Sequence, residues 1–138
     1  MKTIEHDLKE LIGTLFPVIG AGLLLIAVVS TAFTYRFINM ASRAEGKVVK
    51  LNAGGAHPVI RFVPVGEEEE VEFSGSGFIN YSVDDKVSVL YLKDAQNPSG
   101  FQTNIDTPGA LWAAPLGFTW IGMGFVIGGL YTKHLYKP

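Results

Sequence analysis

The chain contains no cysteine. Disulfide bridges, thiolate metal ligands, a cysteine nucleophile and a cysteine-linked lipid are therefore excluded. A cysteine-free chain suits a reducing or an oxidising compartment equally, so location must be read elsewhere. Histidine is scarce. His6, His57 and His134 fall in an N-terminal lead, a turn and a tail, and none has a partner at ligand spacing. Zinc needs three or four converging ligands, so neither a metal nor any other cofactor is expected. A basic excess is also missing: 11 Lys and Arg face 13 Asp and Glu, a net charge of −2. Nucleic-acid binding wants a clustered basic face, and no nucleic-acid partner is expected.

Charge is absent altogether from two long runs, 11–35 and 107–132, closed by Arg36 and Lys133. A helix crosses a bilayer with about 20 apolar residues, so both runs qualify as spans. Two buried core helices are the alternative, but the rest of the 138-residue chain is too short to wrap them. A cleaved signal peptide is a second alternative for the first run. Signal cores are only about 7–15 residues long and follow a basic segment. "MKTIEHDLKE" is mixed in charge, so an uncleaved anchor is expected. Neither run holds an ionisable side chain, which argues against a pump or transporter built from this chain alone.

The chain thus divides into a lead (1–10), a first span (11–35), an insert (36–106), a second span (107–132) and a tail (133–138). Ile4 and Leu8 of the lead stand at helical spacing with Leu11 and Ile12, so the lead extends the first span as an amphipathic helix. Two spans place both termini on one side. The termini carry Lys2, Lys9, Lys133 and Lys137, a higher basic density than the insert. This favours cytoplasmic termini and an extracytoplasmic insert. Arg36, Arg43, Lys47 and Lys50, just after the first span, pull the other way.

Within the spans, Gly13, Gly20, Ala27 and Thr34 recur every seven residues. Gly117 and Gly124 repeat that spacing, and Gly124 with Gly128 form a GxxxG pair. Small residues let helix backbones approach closely in lipid. Two readings are compatible: an antiparallel hairpin packed on these faces, or a spare face at Gly124 and Gly128 that docks another protein's helix. Trp120, mid-helix, is a further contact candidate. Trp112 lies near the start of the second span, Tyr35, Tyr131 and Tyr136 suit interfacial belts, and Pro17 is a candidate kink.

The insert reads as β-structure. Strands are expected at 47–51, 59–65, 70–73, 86–92 and 101–105, separated by Gly-rich corners such as "NAGGAHP" and "SGSG". In "EVEF", Val71 and Phe73 face a core and Glu70 and Glu72 face water. "KVSVLYL" is apolar on both faces: Val87, Val89 and Tyr91 point into the core, and Leu90 and Leu92 are covered by another layer or by the membrane surface. Five short strands suggest a meander closing as a partly open SH3-like or OB-like barrel. A flat sheet is the alternative. The fold class is membrane α+β, with two transmembrane helices flanking a five-stranded antiparallel β-domain.

No catalytic constellation emerges. The glutamates of "GEEEEVEF" read as a solvated turn, because a calcium loop spaces its ligands and adds carbonyls. "SGSGFIN" lacks the spacing and the Lys-Ser/Thr end of a phosphate loop. The serines at 74, 76, 82, 88 and 99 have no His–Asp partnership, and Asp84, Asp85 and Asp94 suit turns. "KDAQNPSG" is a corner between strands.

The ordered motifs Glu45-Gly46-Lys47-Val48-Val49, Pro58-Val59-Ile60-Arg61-Phe62, Val71-Glu72-Phe73-Ser74, Val87-Ser88-Val89-Leu90-Tyr91 and Asn97-Pro98 resemble bacterial domain-of-unknown-function family 3592. The resemblance covers about residues 44–106. It departs at "LKDAQ", which makes the path to Asn-Pro about two residues longer than the family's pattern. It implies a membrane-anchored β-domain and transfers no catalytic residues. Some members look like immunity proteins encoded beside membrane-targeting toxins. Two functions follow. One is a non-enzymatic accessory subunit of a membrane complex, bound to the lipid bilayer and to another membrane protein or a second copy of itself. The other is an immunity-type protein neutralising a membrane-targeting toxin. An enzyme or lipid-handling module ranks behind both.

Overall fold

The computed structural model describes residues 2–97 and 99–135. The chain runs from helix α1 (Lys2–Met40) through strands β1 (Ser42–Asn52), β2 (His57–Phe62), β3 (Val71–Ser74), β4 (Lys86–Lys93) and β5 (Phe101–Ile105) to helix α2 (Pro108–Leu135). It separates into two compact units. One is a helical pair made of residues 1–32 and 114–138. The other is a β-unit, 33–113, that includes the last turns of α1 and the first turns of α2.

The lead and the first apolar run form one unbroken helix of 39 residues, with Pro17 inside it. It passes into β1 almost directly, after Ala41 donates its N–H to the Phe37 carbonyl. At the start of α2, Thr107 accepts the Ala110 N–H on its hydroxyl at 3.3 Å. Pro108 occupies the first helical position, where its missing N–H costs nothing. Lys133 and His134 in the last turn complement the helix dipole. Both helices are long and apolar enough to cross a membrane by length and composition, and only 17% of each most-apolar window is buried.

All five strands are antiparallel, in the order β3-β2-β1-β4-β5. This corrects the expected meander, because the first strand lies at the centre. The cause is its length. β1 begins five residues before the expected Lys47, and its first half pairs with β4 while its second half pairs with β2. "SRAEG" looks polar in sequence, yet only alternate residues meet the core: Ala44 packs inward while Arg43 and Glu45 stay exposed. At the other end β2 stops at Phe62, before Pro64, which has no N–H to give a ladder.

The turn after β1 uses Gly54 at φ 82°, a left-handed conformation that glycine adopts without strain. Beside β1, Asp84 at φ 75° sits in a turn fastened by Ser82 N–H donating to the Asp85 carboxylate at 2.7 Å.

The core lies on one face of the sheet: Val48, Ile60, Phe62, Tyr81, Val89, Tyr91 and Ile105. A chain of rings, Phe73–Phe62–Tyr91–Phe101, crosses it with centroids 5.9, 5.3 and 5.8 Å apart. The Tyr91 hydroxyl accepts the Val65 N–H at 2.7 Å and so fixes the segment after β2. Leu90 is also buried but lies outside this cluster, on the opposite face of β4. The sheet curls into a half-barrel. A Cβ on Gly75, just past β3, would lie 2.6 Å from Ile105 Cδ1 at the end of β5. The outer strands approach across the core without pairing, so the barrel stays open.

Candidate interaction surfaces

The helical unit is held by a seam of small residues. Gly13, Gly20 and Ala27 are buried along α1, and Pro115, Gly122 and Gly129 along α2. Both sets recur every seven residues, which keeps them on one side of a helix. The contact at the middle is tight: a Cβ on Gly20 would lie 2.7 Å from the Gly122 carbonyl oxygen and 2.7 Å from Val126 Cγ2. Towards one end, Gly129 faces Pro17 and Phe16, and Gly13 faces Lys133. Phe16 and Phe125 meet beside the seam with ring centroids 5.1 Å apart and planes tilted by 60°. In the β-unit, Thr34 continues the series on α1 and donates its hydroxyl to the Leu111 carbonyl at 3.4 Å.

The other glycines of α2 stand elsewhere. A Cβ on Gly117, Gly124 or Gly128 would meet nothing within 4 Å. Trp120 is 72% exposed. Gly124 and Gly128 line an open apolar cleft of about 280 Å³ with Phe16, Ile121 and Phe125. Sequence reasoning named Gly13, Gly20 and Ala27, which lie on the seam. It missed Pro115, Gly122 and Gly129. Their seven-residue spacing was a usable signal, but it is shared by Gly117 and Gly124, and spacing alone does not say which series faces the partner helix.

The outer face of the β-unit is a lattice of exposed ion pairs. Arg43 meets Asp106 at 2.9 Å, Lys47 meets Asp84 at 2.7 Å and Lys86 meets Glu45 at 2.9 Å. The glutamate run is partly consumed in the same way. Arg61 donates to Glu72 at 2.8 Å through Nε and contacts Glu70, and Lys93 reaches Glu67 at 3.6 Å. Its hydrogen bond and charge attraction to Glu72, with Glu70 adding, hold the Arg61 guanidinium above its ordinary pKa. Exposed pairs of this kind contribute little, because water screens the attraction and fixing two long side chains costs entropy. Together they make a water-facing surface, part of which (Glu45, Lys47, Arg61, Glu70, Asp84 and Lys86) lines an open depression of about 520 Å³.

The "KDAQNPSG" corner closes on itself. Asp94 accepts the Gln96 N–H at 2.9 Å, Gly100 N–H reaches the Asn97 carbonyl at 2.8 Å, and Ser99 donates to the Asn97 side chain at 3.0 Å. Pro98 of the Asn-Pro motif, and Tyr136, lie outside the described residues. His6, His57 and His134 are all exposed and sit on α1, β2 and α2. Among the described residues, no three His, Asp or Glu side chains converge as a metal site. Ser88 donates to Asp106 at 3.4 Å, and no histidine joins them.

The arrangement offers surfaces for contact. No family model matches the chain. No solved structure matches it either. One curated protein does: immune protein Tsi4 of Pseudomonas aeruginosa, 39% identical over 116 residues, which is 83% of this chain and 76% of that protein. A likeness of that depth, across both the helical and the β-forming parts, places the chain in the same family as immune protein Tsi4.

Proposed function

We propose that the chain is a membrane-anchored immunity protein that binds and neutralises a membrane-targeting toxin. The observation that carries this reading is the 39% identity to an immune protein over most of both chains. The same comparison offers no support for an accessory subunit of a resident complex. Immunity of this kind works by occupancy and not by turnover, so it requires surfaces and no catalytic group.

The helices supply the anchor. Their apolar side chains point outward: Leu25, Val28, Phe33, Ile121 and Ile127 are all exposed. Such a surface is unstable in water and suits hydrocarbon. The toxin's membrane-embedded part meets the cleft at Gly124 and Gly128, where a second helix backbone can approach closely. The test is co-expression with each candidate toxin gene that neighbours the gene for this chain. Cells making the toxin should lose viability, and the chain should restore it and co-purify with the toxin in mild detergent. Gly124→Leu should lose protection while the protein still accumulates. Absence of protection by the unaltered chain would refute the immunity reading, and full protection by Gly124→Leu would remove the cleft from it.

A further inference from the structure

Between β3 and β4 the chain makes a loop, 75–81, that is fastened on both sides. Gly75, Gly77 and Tyr81 donate their N–H groups to the carbonyls of Pro58, Ala56 and Gly55, at 2.9, 3.1 and 2.8 Å. Gly77 packs against the buried Tyr81 ring. The stretch between these pins is not polar. Phe78 is 80% exposed and Ile79 is 54% exposed. A pinned loop that holds two large apolar side chains in water gains nothing in folding from them. Their position gives them a use. Phe78 lies against the first turn of α2, where a Cβ on Gly109 would be 3.2 Å from its ring. Pro108 and Gly109 begin the uncharged run of α2. The ring therefore sits where that helix would enter a bilayer, with Trp112 less than one turn further along.

We propose that Phe78 and Ile79 form an interfacial anchor that inserts into the headgroup boundary of the bilayer and seats the β-unit on it. The inference rests on the membrane-spanning reading of α2. The occupant follows from continuity with the helix: an apolar tip beside a span's first turn meets lipid before it meets any other surface. Apolar side chains at such a boundary bury about 5–10 Å into the headgroup region.

The absence of cysteine makes single-site labelling unambiguous. The full chain, reconstituted in phosphatidylcholine–phosphatidylglycerol vesicles, would carry an environment-sensitive fluorophore at one introduced cysteine. Phe78→Cys and Asn80→Cys report on the loop, Glu69→Cys on a water-facing control and Ile127→Cys on α2. Spin-labelled lipids, with the label near the headgroup or deep in the chains, act as quenchers. The loop labels should be quenched at least about twofold more by the shallow than by the deep label, as interfacial insertion requires. Glu69→Cys should stay unquenched, and Ile127→Cys should respond to the deep label. The Asn80 label leaves Phe78 in place, so its quenching should disappear when Phe78→Asp is added. Loop labels that behave like Glu69 while Ile127 is quenched would overturn the anchor alone. If Ile127 is also unquenched, the spanning reading fails and takes the anchor with it. A loop label that is aqueous in vesicles and shielded only by added toxin would overturn the anchor in favour of protein docking.

Discussion

Ile60 and Arg61 are neighbours in β2 and show how finely the fold divides its labour. Ile60 is fully buried between Val48 and Phe73 on the adjoining strands. Arg61 points the other way, into the exposed ion pairs with Glu70 and Glu72. Removing the Ile60 side chain leaves a cavity that the half-barrel cannot collapse into, so Ile60→Ala should cost about 2–5 kcal/mol. Arg61→Ala should leave stability nearly unchanged, because water screens the lost pairs. Chemical melts of the two variants in the same detergent would check this, and equal losses would contradict the assignment of faces. This much was legible beforehand. The alternation of "EVEF" and "VSVLY" placed Val71, Phe73, Val87, Val89 and Tyr91 on the core side, because a strand's period of two leaves no other choice. The Tyr91 hydroxyl's hold on Val65 was not legible, because it joins groups that only the folded sheet brings together.

At the scale of elements, the helices and strands themselves were readable and their partners were not. Residues 11–35 and 107–132 announced helices by composition. Which glycine series of α2 meets α1 is a matter of rotational phase, and that is set by neighbours such as Pro17, Phe16 and Val126. The order of the sheet escaped for a related reason. Pairing of β1 with β4 is a long-range choice, invisible in either strand's local pattern. The hairpin seam gives a discriminating test. Gly20→Ala forces a methyl group against the Gly122 carbonyl, and overpacking of this sort costs about 1–3 kcal/mol. Gly124→Ala meets open space and should not destabilise the hairpin, since alanine is about 0.5–1 kcal/mol better than glycine inside a helix. Thermal melts of the helical signal in detergent would rank the two. A reversed ranking would show that the seam runs through Gly124 instead of Gly122.

At the scale of the whole molecule, the sequence placed the boundaries of the β-domain at 36 and 106, while the compact unit extends over 33–113. The difference has a physical origin. Ala110 packs against the core although it belongs to α2. Asn104 donates to the Ala110 carbonyl, and Thr34 to that of Leu111, both at 3.4 Å. Hydropathy assigns these residues to a span, so it cannot see that they also serve the β-unit. A fragment limited to 44–106 would lose all of these contacts, the Arg43–Asp106 pair and the first two rungs between β1 and β4. It would also lose the closure of its ends through the helical pair, an entropic restraint on the unfolded chain. Such a small domain has little stability in reserve, and each 1 kcal/mol lost lowers its melting point by about 4–8 °C. The fragment 44–106 should therefore melt well below the intact protein and less cooperatively, and 33–113 should recover part of the difference. Circular dichroism melts of the three in one detergent would decide it. If 44–106 melts as high and as sharply as the intact chain, the helix ends contribute nothing to the β-unit.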